Sequence, residues 1–170
     1  MRKLRGVLCP VATPFDHAGD LYPSKIRHHL ARLARTRLAG YVLTSWDGEG
    51  SLLSGDERRR VWELSVEAAG EKPCIAATSA ESVHETAALA KSAKELGCQG
   101  VWLRAPSDYR GPDDGARASL FLRSAADRSE APVAFAVDIR RPLGAAAAAE
   151  VARHGNVAAV CYRGQDEEWI

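Results

Sequence analysis

Six short apolar runs recur along this chain, and longer amphipathic stretches fill the gaps between them. The runs cover residues 7–12, 40–44, 74–77, 100–104, 133–137 and 157–162, and their starts lie 33, 34, 26, 33 and 24 residues apart. Such an interval holds a strand, a helix and two short loops. Most of the runs show no in/out alternation, the mark of strands covered on both faces, as in parallel sheets flanked by helices.

The intervening helices carry their own punctuation. Pro23 and Ser24 open the first, in which Ile26, Leu30, Leu33 and Leu38 can face inward. Ser54 with Glu57 makes a capping box for a helix running toward Ala69, and Ser82 with Glu85 opens another that Gly97 closes. The alanine run 145–149 reads as a short packed helix ending at Gly155, because alanine is the best helix former. Six βα units without a hairpin signal leave two architectures, an open doubly wound sheet or a (β/α)-barrel. Periodicity does not choose between them. No run is followed by a glycine-rich phosphate-binding fingerprint, which lowers the nucleotide-binding option.

Bulk properties exclude several function classes. At 170 residues the length fits one domain spanning 1–170, with 46% hydrophobic and 26% charged residues, near globular averages. A net charge of +1 offers no field to draw the chain to nucleic acid or an anionic membrane. No apolar run approaches the roughly 20 residues of a membrane span, and the short stretch 6–12, broken by Pro10, makes a poor signal peptide. Cys9, Cys74, Cys98 and Cys161 are far apart, with no metal-ligand spacing; they read as small hydrophobes in a reducing cytoplasm. Neither a metal nor a cofactor is expected. His17, Asp16 and Asp20 form an ordinary polar turn, and His28 with His29 sits mid-helix as surface or packing residues.

Three segments choose the barrel. The start Gly6 to Asp16, with Thr13-Pro14-Phe15, resembles the first strand and turn of the dihydrodipicolinate synthase / N-acetylneuraminate lyase family. The segment from Gly40 through Ser45-Trp46-Asp47-Gly48-Glu49 to Ser54, Glu57 and Arg58 is similar to that family's second strand and its G-T-T-G-E loop. The segment from Ala90 to Pro106 resembles the helix, fourth strand and proline that follow, and the likeness continues to Asn156 and Val160. The resemblance implies an α/β fold of the (β/α)8 TIM-barrel type, of which this chain holds about the first six βα units. It also implies chemistry on pyruvate, held as an imine on a lysine of the sixth strand, with the site on the loops after the strand C-termini.

Carried over residue by residue, that chemistry fails. The position of the Schiff-base lysine falls on Cys161, and the five lysines, Lys3, Lys25, Lys72, Lys91 and Lys94, all lie elsewhere than a strand C-terminus. The family's threonine pair corresponds to Trp46 and Asp47; the tryptophan fills space that pyruvate needs, and the aspartate repels its carboxylate. The fifth-strand tyrosine is Ala136. The tyrosine pair after the fourth strand becomes Ser107-Asp108, with Tyr109 one residue away, and Arg141 matches an arginine that some members use for a distal carboxylate. Ser45, Trp46, Asp47, Gly48, Glu49, Tyr109, Arg141 and Cys161 are the substrate-binding candidates. Each has a plainer reading. Gly48 and Glu49 suit a tight turn and a helix N-terminus, Arg141 an exposed loop, and Cys161 a buried apolar position with no histidine to activate it, His154 lying at the opposite barrel end.

A full barrel takes about 250 residues, whereas this chain stops just past its sixth strand. The expectation is that the last two units are missing and the outer strands have unpaired edges, so that the chain forms a homo-oligomer or meets a partner. Two functional readings follow. One is a pyruvate-dependent lyase by descent, without the imine step. The other is a non-catalytic protein that binds a small keto acid or sugar acid, or serves in subunit assembly.

Overall fold

The computed structural model describes residues 6–109, 111, 114–138 and 143–163. Strands and helices alternate throughout: β1 Leu8–Pro10, α1 Pro23–Ala34, β2 Gly40–Leu43, α2 Gly55–Ala68, β3 Cys74–Ala77, α3 Val83–Glu95, β4 Gly100–Leu103, α4 Gly115–Arg128, β5 Val133–Asp138, α5 Ala145–Ala152 and β6 Val157–Arg163. A 3-10 turn, Trp46–Gly48, follows β2. The strands neighbour one another in chain order in a single sheet, and β1/β2, β2/β3 and β5/β6 pair in parallel. The chain divides into two compact units, residues 1–77 with 92–101, and residues 78–91 with 102–170.

In the first unit, proline opens α1 where a missing N–H does no harm, and Ile26 and Leu30, four apart, are buried on one face. The helix stops at Ala34, so Leu38 lies in the connection to β2 and not in the helix as its spacing suggested. The Lys72 ammonium closes that end by donating to Leu33 O (3.4 Å) and Thr36 O (2.7 Å). At α2 the capping box forms in full: Glu57 N donates to Ser54 Oγ, and Ser54 N donates to the Glu57 carboxylate. Helices α1 and α2 pack together, and Trp62, Leu64, Tyr41 and Leu43 are fully buried beneath them. All four residues of β3 are buried, as its unbroken apolar run implied. Gly97, at φ 92, ends α3 in the left-handed conformation that a side chain would oppose.

In the second unit, α4 buries Ala118, Phe121, Leu122, Ala125 and Ala126, and α5 packs against α4 and β6 through Ala148 and Val151. That helix ends at Ala152, three residues before Gly155, where Arg153 takes up the last carbonyls through its N–H. Asn156 then pins the turn ahead of β5, its amide nitrogen donating to Ala126 O (3.1 Å), Ser129 O (2.7 Å) and Ala131 O (3.2 Å). His154 faces Asp127 at 2.8 Å on the same side, at the N-terminal ends of β5 and β6 and away from the loops that carry the candidates.

Candidate active site

The candidates fall into two groups, one in each unit. In the first, β2 ends at Leu43 and the backbone turns sharply at Thr44, whose φ of 50° is left-handed. A β-branched residue there carries strain of about 1–3 kcal/mol. Three contacts hold it. The Trp62 indole donates to Thr44 Oγ1 at 2.8 Å, and that hydroxyl donates to Ala77 O at 3.3 Å. Gly50 packs so closely that a Cβ on it would stand 1.7 Å from Thr44 O.

Ser45 follows in an extended conformation, and its carbonyl accepts from the Gly48 and Gly50 N–H groups. Its side chain is buried, and among the described residues its hydroxyl has no hydrogen-bond partner. Trp46 and Asp47 project from the 3-10 turn, the tryptophan 57% exposed. Gly48 is fixed by sterics: a Cβ would meet Val11 O at 2.6 Å, and Gly48 O accepts from the buried Thr13 hydroxyl at 2.7 Å. That bears out the turn reading of Gly48. Glu49 differs from expectation. It caps the C-terminal end of the 3-10 turn at φ 56°, five residues ahead of the Ser54 cap, so it is not an N-terminal carboxylate of α2.

In the second unit, Cys161 on β6 pairs with Ala136 on β5. The reading of Cys161 as buried is wrong: the thiol-bearing residue is exposed, and its neighbour Val160 is 43% exposed. An apolar run predicts burial only where something covers it, and β6 ends the sheet order with β5 as its one neighbouring strand. Ala136 is half-buried. After β4, Pro106 is buried, Ser107 and Asp108 form a turn, and Tyr109 is half-buried with its N–H on Pro106 O at 3.3 Å. Arg141 lies outside the described residues.

A polar cluster that the sequence reading passed over stands at the ends of β3 and β4. Arg104 N donates to Ser79 Oγ at 2.9 Å, and Ser107 N donates to Glu81 Oε2 at 2.7 Å. Arg104 Nη2 lies 3.5 Å from Glu81 Oε1. Burial opposes the charge on Glu81, but the Ser107 hydrogen bonds and the guanidinium together hold its carboxyl below the usual range. The only sequence signal was a charged residue closing an apolar run.

No described lysine stands at the C-terminal end of a strand. Lys72 caps α1, Lys25 lies over the Tyr22 ring at 4.9 Å, and Lys91 and Lys94 ride on α3. Among the described residues no group of three His, Cys, Asp or Glu side chains could hold a metal, and no helix is long and apolar enough to cross a membrane. Asp16 instead accepts from the N–H groups of Ala18 and Asp20 in its own turn.

Comparison with known proteins agrees with this frame. The model of the dihydrodipicolinate synthetase family matches residues 3–117. A 4-hydroxy-tetrahydrodipicolinate synthase of Methanosphaerula palustris is 32% identical over 160 residues, covering 91% of this chain and 54% of that protein. An uncharacterized DapA-like lyase of Halobacterium salinarum is 34% identical over 131 residues, 76% of this chain and 42% of that protein. Among solved structures, N-acetylneuraminate lyase from Mycoplasma synoviae superposes with a TM-score of 0.84 at 24% identity, covering 97% of this chain and 56% of the other. The 4-hydroxy-tetrahydrodipicolinate synthase of Methylacidiphilum fumariolicum gives 0.88 at 20% identity, with 96% and 55% covered. The fold is therefore that of the (β/α)8 barrels, of which the described residues hold six strands and the five helices between them, and the chain spans about half the length of the relatives it matches.

Proposed function

Since the chain belongs to the dihydrodipicolinate synthetase family, we propose that it descends from a pyruvate-dependent lyase of the aldolase type and does not itself form the lysine imine. The pairing of Cys161 with Ala136 carries this reading, because the family resemblance assigns the imine lysine and the proton-relaying tyrosine to those two positions. An imine needs an unprotonated amine, and a thiol in its place gives at most a reversible thiohemiketal with no iminium to draw off electrons. Trp46 and Asp47 support the reading, since neither replaces the hydroxyls of a threonine pair. What the site retains is a frame for binding, for which a small keto acid or sugar acid is the proposed ligand.

The experiment is incubation of the full chain with saturating pyruvate and borohydride, followed by intact-mass measurement. The expected result is an unchanged mass. A stable adduct mapped to any lysine would overturn the proposal.

A further inference from the structure

We infer that Arg104 is a receptor for the carboxylate of a small ligand at the C-terminal end of β4. The inference rests on the binding reading above only for the choice of ligand; a carboxylate can dock on Arg104 whether or not an imine forms.

The case begins with direction. Along β4, Leu103 is 1% exposed, whereas Trp102 and Arg104, on the opposite side of the strand, are half-buried. Neighbouring β5 repeats the pattern: Phe135 and Val137 are buried, and Ala134 and Ala136 are half-buried. Arg104 thus stands on the same side of β4 as Trp102, and on β5 the half-buried positions are the small Ala134 and Ala136. It also stands past the C-terminal end of its strand, where barrels of this type place their binding groups.

The Arg104 side chain is 20% exposed, so its guanidinium is largely withdrawn from water. A guanidinium has five N–H donors. Among the described residues, this one donates from Nη1 to Ala105 O at 3.1 Å, and its Nη2 makes a long ion pair, 3.5 Å, with Glu81 Oε1. Glu81 is the more solvated of the two, 54% exposed, and its other oxygen is committed to Ser107 N. With two of its five N–H groups engaged, the guanidinium keeps donors for a further acceptor. The backbone bond from Arg104 N to Ser79 Oγ fixes the main chain from which the side chain leaves, and the contacts to Ala105 O and Glu81 orient the fork before a ligand binds. A fork of two parallel N–H groups matches the two oxygens of a carboxylate. One cation beside a resident carboxylate favours a monoanion over a doubly charged phosphate.

The test is calorimetric titration of the full chain with pyruvate, its uncharged methyl ester and inorganic phosphate. Pyruvate is expected to bind, and the ester at least about tenfold more weakly. Arg104→Gln should weaken pyruvate about tenfold or more, and Arg104→Lys, which keeps the charge but loses the fork, less so. Glu81→Gln should tighten pyruvate about threefold by removing a competing charge, a gain that a merely structural ion pair does not produce. Near-ultraviolet circular dichroism checks the fold of each variant, and if Arg104→Gln fails it, the lysine and Glu81 variants still decide. Equal binding of acid and ester, preference for phosphate, indifference to both substitutions, or no binding of pyruvate by the native chain each overturns the assignment. None of these results bears on the borohydride experiment, so the two proposals fail separately.

Discussion

Cys161 and Ala136 are register partners in the parallel ladder of β5 and β6. Two positions 25 residues apart in sequence are thereby neighbours on adjacent strands, and the proposed function puts the family's lysine and tyrosine at these two places. Under that proposal nucleophile and proton relay are absent together.

Restoring the lysine alone should therefore fail. In Cys161→Lys the new amine sits at a position that is exposed among the described residues, so at an ordinary pKa near 10.4 only about one molecule in a few thousand is unprotonated at pH 7. The expected borohydride adduct with pyruvate is below about a tenth of the chains after an hour, rising when Ala136→Tyr is added. Intact mass reads both. A full adduct in the single variant contradicts the argument.

The four thiols should separate by reactivity. Cys161 is exposed, whereas burial pushes Cys74 up to about 12, and burial with the nearby Cys74 does the same to Cys98. At pH 8 iodoacetamide should label Cys161 first and leave Cys74 and Cys98 untouched until urea unfolds the chain. The same shifts act on stability. A thiol whose folded value is raised above the ordinary 9.0 favours the folded state below pH 9 and loses that contribution as pH climbs toward 12. The urea midpoint should fall across that window, and a midpoint rising there contradicts the assignment.

The indole bond of Trp62 should be measurable. Trp62→Phe keeps most of the buried ring but removes the donor to Thr44 Oγ1. The expected cost is about 1–2 kcal/mol in chemical denaturation, since the loss falls on a buried hydroxyl. No change would mean that Thr44 holds its left-handed backbone without help.

Two glycines offer a sharp contrast. Gly50→Ala drives a Cβ to within 1.7 Å of Thr44 O and should cost more than about 3 kcal/mol or prevent folding. Gly155→Ala meets nothing within 4 Å and should stay within about 0.5 kcal/mol of the parent. Comparable losses in the two variants would contradict the steric account of the β2 turn.

Much of the architecture is legible in the sequence because its signals are local. Unbroken apolar runs mark β2, β3 and β4, and the Ser54–Glu57 box and Gly97 mark helix ends within a residue. What failed depends on context. Leu38 matches a helical spacing, but the Lys72 ammonium, 34 residues on, binds the carbonyls where α1 has already ended. Cys161 sits in an apolar run, yet among the described residues it is exposed. The site was half legible. Resemblance to a known loop singled out Trp46 and Asp47, and resemblance to a fifth strand singled out Ala136, whereas the left-handed Thr44 and the Arg104–Glu81 cluster depend on neighbours that no spacing reveals.

The turn after β2 has a wider meaning for how such a chain drifts. Its path is set by Thr44, Gly48 and Gly50, through a carbonyl, a strand edge and two missing side chains, and not by Trp46 or Asp47 at its tip. Backbone course and chemical content are thus written in different residues. Selection on shape can keep the first constant while the second is erased and rewritten, one exposed position at a time. A scaffold wired in this way can change what stands at the tip of the turn without changing the path that carries it.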